Sequence, residues 1–313
     1  MTASPATTTP AASASAPPPV RRRAPAVRRW ATSYALLAPA LLLFGVFVLY
    51  PLVGAVRISL TNSTGIGEAR FVGLDNYAAM AGDATFWRAA LNTALLAAVS
   101  VPVSLLLGLG VALLLRDRIP GGGLFRAVFL APYVISGVVV AMTGRWLFDQ
   151  NVGIVDRVLG GLGLPAPDWQ SDGTAASVSV LVVLLWARTG LAVILYLSAL
   201  QGIDPDVLEA AELDGASPRQ RLRFVVWPLL RPTTFFLTVM LVIETFQVFD
   251  IVWVMTRGGP AGATELLVTY AYNQGFSARR EGYGSAIGVV VFVVVLAATV
   301  LWWRAQRRSE EEL

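Results

Sequence analysis

Apolar positions along the chain gather into six runs, roughly 34–56, 89–115, 125–148, 177–200, 233–255 and 285–303. Each holds around 20 mostly apolar residues, the length a helix needs to cross a ~30 Å hydrocarbon core. The pattern predicts an all-α fold: a polytopic membrane protein with six transmembrane helices. Residues 1–29 are rich in Ala, Pro, Ser and Thr and end in an Arg cluster, a composition that cannot bury a core and is expected to be disordered. The first run is too long for a signal-peptide core and no small-x-small cleavage site follows it, so an uncleaved first span is expected. The chain divides into a tail (1–29), a membrane domain (30–303) containing a long polar loop (201–232), and a second tail (304–313).

Composition sharpens this picture by exclusion. Of 313 residues, 56% are hydrophobic and only 14% charged, and mean hydropathy is +0.65. A soluble globular enzyme needs more polar surface than that. There is no Cys and no His, which removes thiolate and imidazole metal sites, cysteine nucleophiles and Ser-His triads. All 24 basic residues are Arg, so a P-loop lysine and a Ser-Lys dyad are also excluded. No catalytic residue, metal site or cofactor is expected, and any ATP energy would have to come from another polypeptide. The net charge of +4 is explained by membrane topology, without nucleic acid.

The Arg positions set an orientation. Fifteen lie in the N-tail, the 116–126 loop, the 201–232 loop and the C-tail; seven lie beside the opposite loops (Arg57, Arg70, Arg88, Arg157, Arg257, Arg279, Arg280). Both termini are therefore expected on the cytoplasmic side of a cell membrane. Tyr50, Trp146, Trp302 and Trp303 stand near span ends, where aromatic belts form.

The 201–232 loop carries strong helix punctuation. Asp204 can N-cap, Pro205 suits the first helical position, and Asp206 suits the positive end of the helix dipole. The helix runs through Val207–Leu213, with Gly215 as its stop. Ser217 and Pro218 start a second helix, expected to reach about Val226 before Pro228 breaks it. On a helical wheel Val207, Leu208 and Ala211 share one face, while Asp206, Glu209 and Leu213 share another. A short helix with one face against the protein and one outward suits docking into a partner's groove.

The run Glu209-Ala210-Ala211-Glu212-Leu213-Asp214-Gly215-Ala216, with Pro228 thirteen residues beyond Gly215, resembles the EAA loop of ABC-importer permeases. Trp227 stands where that loop usually has Leu, and Leu222 where Phe is common. Other stretches resemble the sugar permeases of that family. These are Phe71–Tyr77, Phe86-Trp87 through Asn92-Thr93, Trp146 through Gly153, Phe249-Asp250 with Thr256–Pro260 and Thr264, and Gly282–Ala286. The resemblance covers about 34–303. It implies the type I ABC-importer permease fold and the carbohydrate uptake group serving oligosaccharides and glycerol phosphate, in its first-permease type. It further implies three kinds of partner: a second permease forming a heterodimer, two ATP-binding cassette subunits, and an extracytoplasmic solute-binding protein. In that scheme Glu209, Ala210, Ala211, Asp214, Gly215 and Pro228 couple to the ATPases, with Glu209 as the polar contact.

The solute path is sought among intramembrane charges, which usually pair or face a cavity. Arg188 lies near the middle of the fourth run and Glu244 near the middle of the fifth, at similar depth because those spans are antiparallel. They are expected to pair or share a polar cavity. Gln247 lies three residues after Glu244 on the same helix face, and Asp250 is expected to carry polar character on towards the outer end. Trp186, Phe246, Phe249 and Trp253 are candidate stacking surfaces for sugar rings. Gly258, Gly259 and Pro260 form a turn where the binding protein could dock. The alternative is a stand-alone secondary carrier or channel, which would show inverted repeats and would not need the 204–215 helix. An intramembrane enzyme fares worse, because Glu244 and Asp250 fall on roughly opposite sides of a straight helix.

Overall fold

In a computed structural model the described residues, 26–116 and 122–311, are almost entirely helical. The helices are α1 Ala26–Phe44, α2 Tyr50–Ser59, α3 Asp75–Ala81, α4 Ala84–Leu114, α5 Gly122–Val134, α6 Gly137–Leu147 and α7 Ile154–Gly161. Then follow α8 Gly173–Gln201, α9 Pro205–Leu213, α10 Pro218–Arg221, α11 Trp227–Phe246, α12 Asp250–Met255, α13 Leu267–Tyr272 and α14 Glu281–Glu311. Wide π turns fill 45–49, 222–226 and 273–277. Of residues 1–29, expected to be disordered, 1–25 lie outside the described residues, while 26–29 are helical and open α1. The helix of the last span, α14, continues to Glu311, through most of the tail set apart at 304–313.

Two compact units divide between Leu52 and Val53. The first contains α1 and the 45–49 turn, and its side chains from Leu36 onward are mostly exposed. Residues Leu36–Ser59 make an apolar stretch long enough to span a bilayer.

Among the described residues four further stretches meet the same length and hydropathy requirement: Ala84–Leu114, Gly173–Gln201, Pro218–Met255 and Glu281–Arg304. The third expected span is not one straight helix. Residues 125–148 divide between α5 and α6, which meet at a bend of 101°. The backbone leaves helical geometry at Ser136 (φ −53°, ψ 132°), after Pro132 has removed one amide donor from α5. Such a break inside a membrane domain is tolerated where protein covers it. Here Asp250 lies against Gly137, the first residue of α6, so closely that a Cβ at Gly137 would overlap the Asp250 carboxylate. The carboxylate also meets the positive end of α6.

The second unit is organised around α8. Along this helix Ala175, Ala176, Val180, Val183, Leu184, Ala187, Ala192, Val193, Tyr196 and Leu200 are buried. With α6 and α12 it forms one apolar cluster (Val140, Val183, Ile251, Val252), and with α4 and α11 another (Ala112, Ala192, Leu230, Leu237). Approach is close enough that a Cβ on Gly108 of α4 would lie 2.4 Å from the Ala192 Cβ, and one on Gly190 would lie 2.2 Å from the Phe129 carbonyl of α5. Apolar side chains gain little by leaving lipid for protein, so close backbone packing at small residues is what holds membrane helices together.

A third cluster joins α3, the start of α4, α13 and α14. Asp83 N-caps α4 by accepting the Thr85 N–H, and its other oxygen accepts from the Tyr270 and Tyr283 hydroxyls at 2.5 and 2.6 Å. Burial works against the Asp83 charge, but these hydrogen bonds outweigh it and hold its carboxyl below the usual range. Asn76 donates to the Ser59 and Thr61 carbonyls, both at 2.8 Å, and Tyr77 pairs with the Ser59 hydroxyl.

Two alanine substitutions separate close packing from helix propensity. Gly190→Ala has no room against the Phe129 carbonyl and is expected to cost about 1–3 kcal/mol of stability in denaturant-induced unfolding. Gly110→Ala meets nothing within 4 Å and is expected to be neutral or stabilising by up to about 1 kcal/mol.

Candidate functional site

The polar loop folds into two short helices joined by a tight stop. Asp204 caps α9 by accepting the Asp206 N–H at 3.0 Å, and Pro205 opens the helix. At the other end Gly215 takes φ +78°, a conformation that favours glycine. The Gly215 N–H then reaches the Glu212 carbonyl and the Ala216 N–H reaches the Ala211 carbonyl, both at 3.0 Å. This crossed pair is the Schellman termination, and it satisfies carbonyls that the helix end would otherwise leave open. Asp214 contributes through its backbone N–H, which caps α9. Ser217, through both its N–H and its hydroxyl, then donates to Gln220 at 2.8 Å to start α10. An Arg221–Glu212 ion pair ties the two helices together.

Only Leu208 and Ala211 turn α9 inward; Val207, grouped with them on the wheel, is 45% exposed. Glu209, Ala210, Glu212 and Leu213 are exposed, Leu213 at 83%. Among the described residues Glu209 takes part in no ion pair. The expected break at Pro228 does not occur. The chain passes from α10 through the 222–226 turn into α11, with Pro228 in the first turn of α11, where it needs no amide donor. The wider turn just ahead shifts the hydrogen-bond ladder and makes that entry possible.

Within the membrane domain, Arg188 of α8 and Glu244 of α11 form the expected pair, 3.2 Å apart. Tyr133 of α5 donates to the other Glu244 oxygen at 3.2 Å. The cluster is only partly satisfied. Arg188 Nε, Glu244 Oε2 and Ser100 Oγ are buried without hydrogen-bond partners, so the ion pair is a charge contact and not a hydrogen bond. Ser100, Ser104, Leu184, Leu241 and Thr245 enclose the gap beside Arg188, which is closed to a sugar ring in this conformation. Buried donors and acceptors left side by side are costly unless they find a further partner.

The rest of the expected stripe is not continuous. Gln247 caps α11 and is exposed, and the backbone departs from the helix there. Asp250 begins α12, so its position follows the α5–α6 bend instead of Glu244. Of the candidate aromatics, Phe249 and Trp253 stack at 5.4 Å, whereas Trp186 is 42% exposed on α8. Tyr272 packs against both Phe249 and Trp253, at 5.0 and 4.8 Å, and stacks on Phe276. Tyr133, Ser100, Tyr272 and Phe276 were not among the expected site residues. The last two lie in α13 and the turn after it, outside the six long apolar runs.

The Gly258-Gly259-Pro260 turn is held from several sides. Gly258 has φ +82°, and a Cβ there would meet the Glu265 carboxylate at 2.6 Å. Thr264 donates to the Gly259 carbonyl at 2.7 Å, Asn92 to the Gly262 and Glu265 carbonyls, and Arg88 to the Ala261 carbonyl. Burial pushes the Glu265 carboxyl above the ordinary glutamate value of 4.5, opposed in part by donation from Thr269 and Asn273.

Comparison with known proteins gives a consistent result. Residues 104–308 match the family described as binding-protein-dependent transport system inner membrane component. The chain is 34% identical over 276 residues to the trehalose/maltose transport system permease protein MalF of Thermococcus litoralis, covering 88% of this chain and 93% of that one. It is 32% identical over 278 residues to the sulfoquinovosyl glycerol transport system permease protein SmoG of Agrobacterium fabrum, covering 88% and 90%. The fold is similar to a chain in the crystal structure of a bacterial ABC transporter that imports the acidic polysaccharide alginate. The TM-score there is 0.78 at 23% identity, over 90% of this chain and 97% of that one.

Because the Glu265 pKa is raised on folding, its stabilising contribution is complete below 4.5 and is lost as pH rises through the raised value. Glu265→Gln is expected to flatten that part of the stability curve. Unfolding midpoints of the two proteins should agree at acid pH, where Glu265 is protonated, and diverge towards neutrality, with Glu265→Gln the more stable.

Proposed function

We propose a carbohydrate importer subunit, on the premise that the chain belongs to the inner membrane components of binding-protein-dependent transport systems. It is a multi-pass membrane permease, a transport subunit and not an enzyme. The solute class we assign is a sugar or sugar-containing molecule, in keeping with the trehalose/maltose and sulfoquinovosyl glycerol permeases it resembles. A second permease completes the path, two ATP-binding cassette subunits drive it, and a solute-binding protein delivers the substrate from outside. Residues 1–29, 201–232 and 304–313 face the cytoplasm.

The observation that carries this reading is the connection from α9 to the Arg188–Glu244 pair. An exposed, doubly capped helix is tied by Arg221 to α10, and α10 leads without interruption into α11, which ends near Glu244. Displacement of α9 by an ATPase moves α11 along or about its axis, which changes the Glu244 environment against α8. Glu209, exposed on α9, supplies the polar contact to the ATPase, and the neighbouring Ala210 lets that surface approach closely. Arg188, Glu244, Tyr133 and Ser100 then offer both donors and acceptors to sugar hydroxyls. The rings of Phe249, Trp253, Tyr272 and Phe276 offer apolar faces for pyranose stacking. The turn at Gly258, Gly259 and Pro260 is the contact for the binding protein.

Two substitutions test the two ends. Glu209→Lys is expected to reduce solute-stimulated ATP hydrolysis of the assembled complex by about tenfold, the loss of a single ~1.4 kcal/mol contact, with assembly of the permease retained. Arg188→Leu is expected to leave the permease in the membrane and abolish sugar uptake. Loss of the protein from the membrane would instead make the pair a scaffold.

A further inference from the structure

The cleft behind α9 has a character that the transport function does not require. It is an open cavity of about 420 Å³ between the end of α4 and the start of the α10–α11 rod. Its walls are Leu113, Leu208, Pro218, Leu222 and Val226, and two guanidinium groups, Arg116 and Arg221, stand among them. Arg116 follows directly on the last turn of α4. Among the described residues it makes no ion pair. Arg221 spends one donor on Glu212, whose side chain is 68% exposed, and among the described residues it makes no second ion pair, leaving donors of its five-donor fork for a further acceptor. Arg219 and Arg223, both exposed, add positive charge at the margin.

We propose that this cleft holds the phosphate headgroup of an anionic phospholipid from the cytoplasmic leaflet. The cleft is bipartite in the way such a ligand is. Guanidinium groups pair with phosphate oxygens by charge-assisted hydrogen bonds. The leucine and valine walls accept the glycerol and first methylenes, and a free phosphate would leave them uncovered. The cavity lies where two stretches long and apolar enough to cross a membrane, Ala84–Leu114 and Pro218–Met255, come to their ends. Basic pockets between span ends on the cytoplasmic side are suited to anionic lipids. The inference rests on the cytoplasmic assignment of the 201–232 loop.

Occupancy has a consequence for α9. Leu208, one of its two inward-facing side chains, is also a wall of the cleft. A lipid seated there supports α9 from behind and reduces the play between an ATPase and α11.

The test uses the full chain with its partner subunits in nanodiscs of phosphatidylcholine and phosphatidylglycerol. Retained lipid is counted by native mass spectrometry. Wild type is expected to retain phosphatidylglycerol in preference to phosphatidylcholine. Arg116→Gln should weaken that retention about fivefold, as follows from about 1 kcal/mol per arginine near a membrane surface. Arg116→Lys should keep most of it, and Arg70→Gln, which removes a charge outside the cleft, should change nothing. Added inorganic phosphate should fail to displace the lipid. Equal retention by Arg116→Gln and wild type overturns the proposal, and so does displacement by inorganic phosphate. Retention is read without solute or ATP, so its failure is separable from failure of the transport reading.

Discussion

The membrane domain depends on how closely other helices can approach α8. Gly108 of α4 meets Ala192, Gly190 of α8 itself meets the α5 backbone, and a Cβ on Gly144 of α6 would crowd Val183. Lipid offers apolar side chains nearly the environment that protein does, so contact has to be gained through backbone proximity and dispersion. That proximity leaves α8 little freedom to tilt. Arg188 therefore occupies a defined position, and Glu244 on α11 is brought to it instead of the reverse. A buried ion pair of this kind contributes little net stability, because desolvation offsets most of its attraction. Its position is imposed by the packing, which is consistent with a role in recognition.

Much of this was legible in the sequence, for identifiable reasons. The spans at Ala84–Leu114 and Gly173–Gln201 were visible because lipid demands long apolar runs and nothing in those runs contradicts a helix. The α9 boundaries were visible because Asp204, Pro205 and Gly215 each act through local backbone chemistry that needs no tertiary partner. The α5–α6 bend was not visible. Its residues are apolar on both sides of the break, and the group that accommodates it, Asp250, lies more than a hundred positions away. The stripe from Glu244 through Asp250 failed for the same reason, since periodicity assumes an unbroken helix. Pro228 misled in the opposite direction: a local rule predicted a stop where a wide turn lets the helix continue. Tyr133 and Ser100 entered the polar cluster from helices that sequence order does not bring together.

Two regions of the second unit are braced differently. Around Asp83 and Glu265, carboxylates are held by tyrosine, threonine and asparagine side chains, and these fix the turn at Gly258 and the entry to α14. Around α9, the contacts are few: two inward side chains, one ion pair and backbone caps. The first region has many simultaneous constraints and suits a fixed platform. The second is internally stiff but lightly attached, which is what a moving part requires.

The turn at 222–226 has an angular consequence. A π turn carries one residue more than the α-helix around it, and each residue of an α-helix advances the azimuth by about 100°. The bearing of α11 relative to α10 is therefore set by that single surplus residue. With it, Glu244 points at α8; were the surplus absorbed into regular α-helix, the same carboxylate would swing about a quarter turn away. The azimuth of Glu244 about α11 is thus fixed some twenty residues upstream, by one hydrogen-bond register in the turn at 222–226.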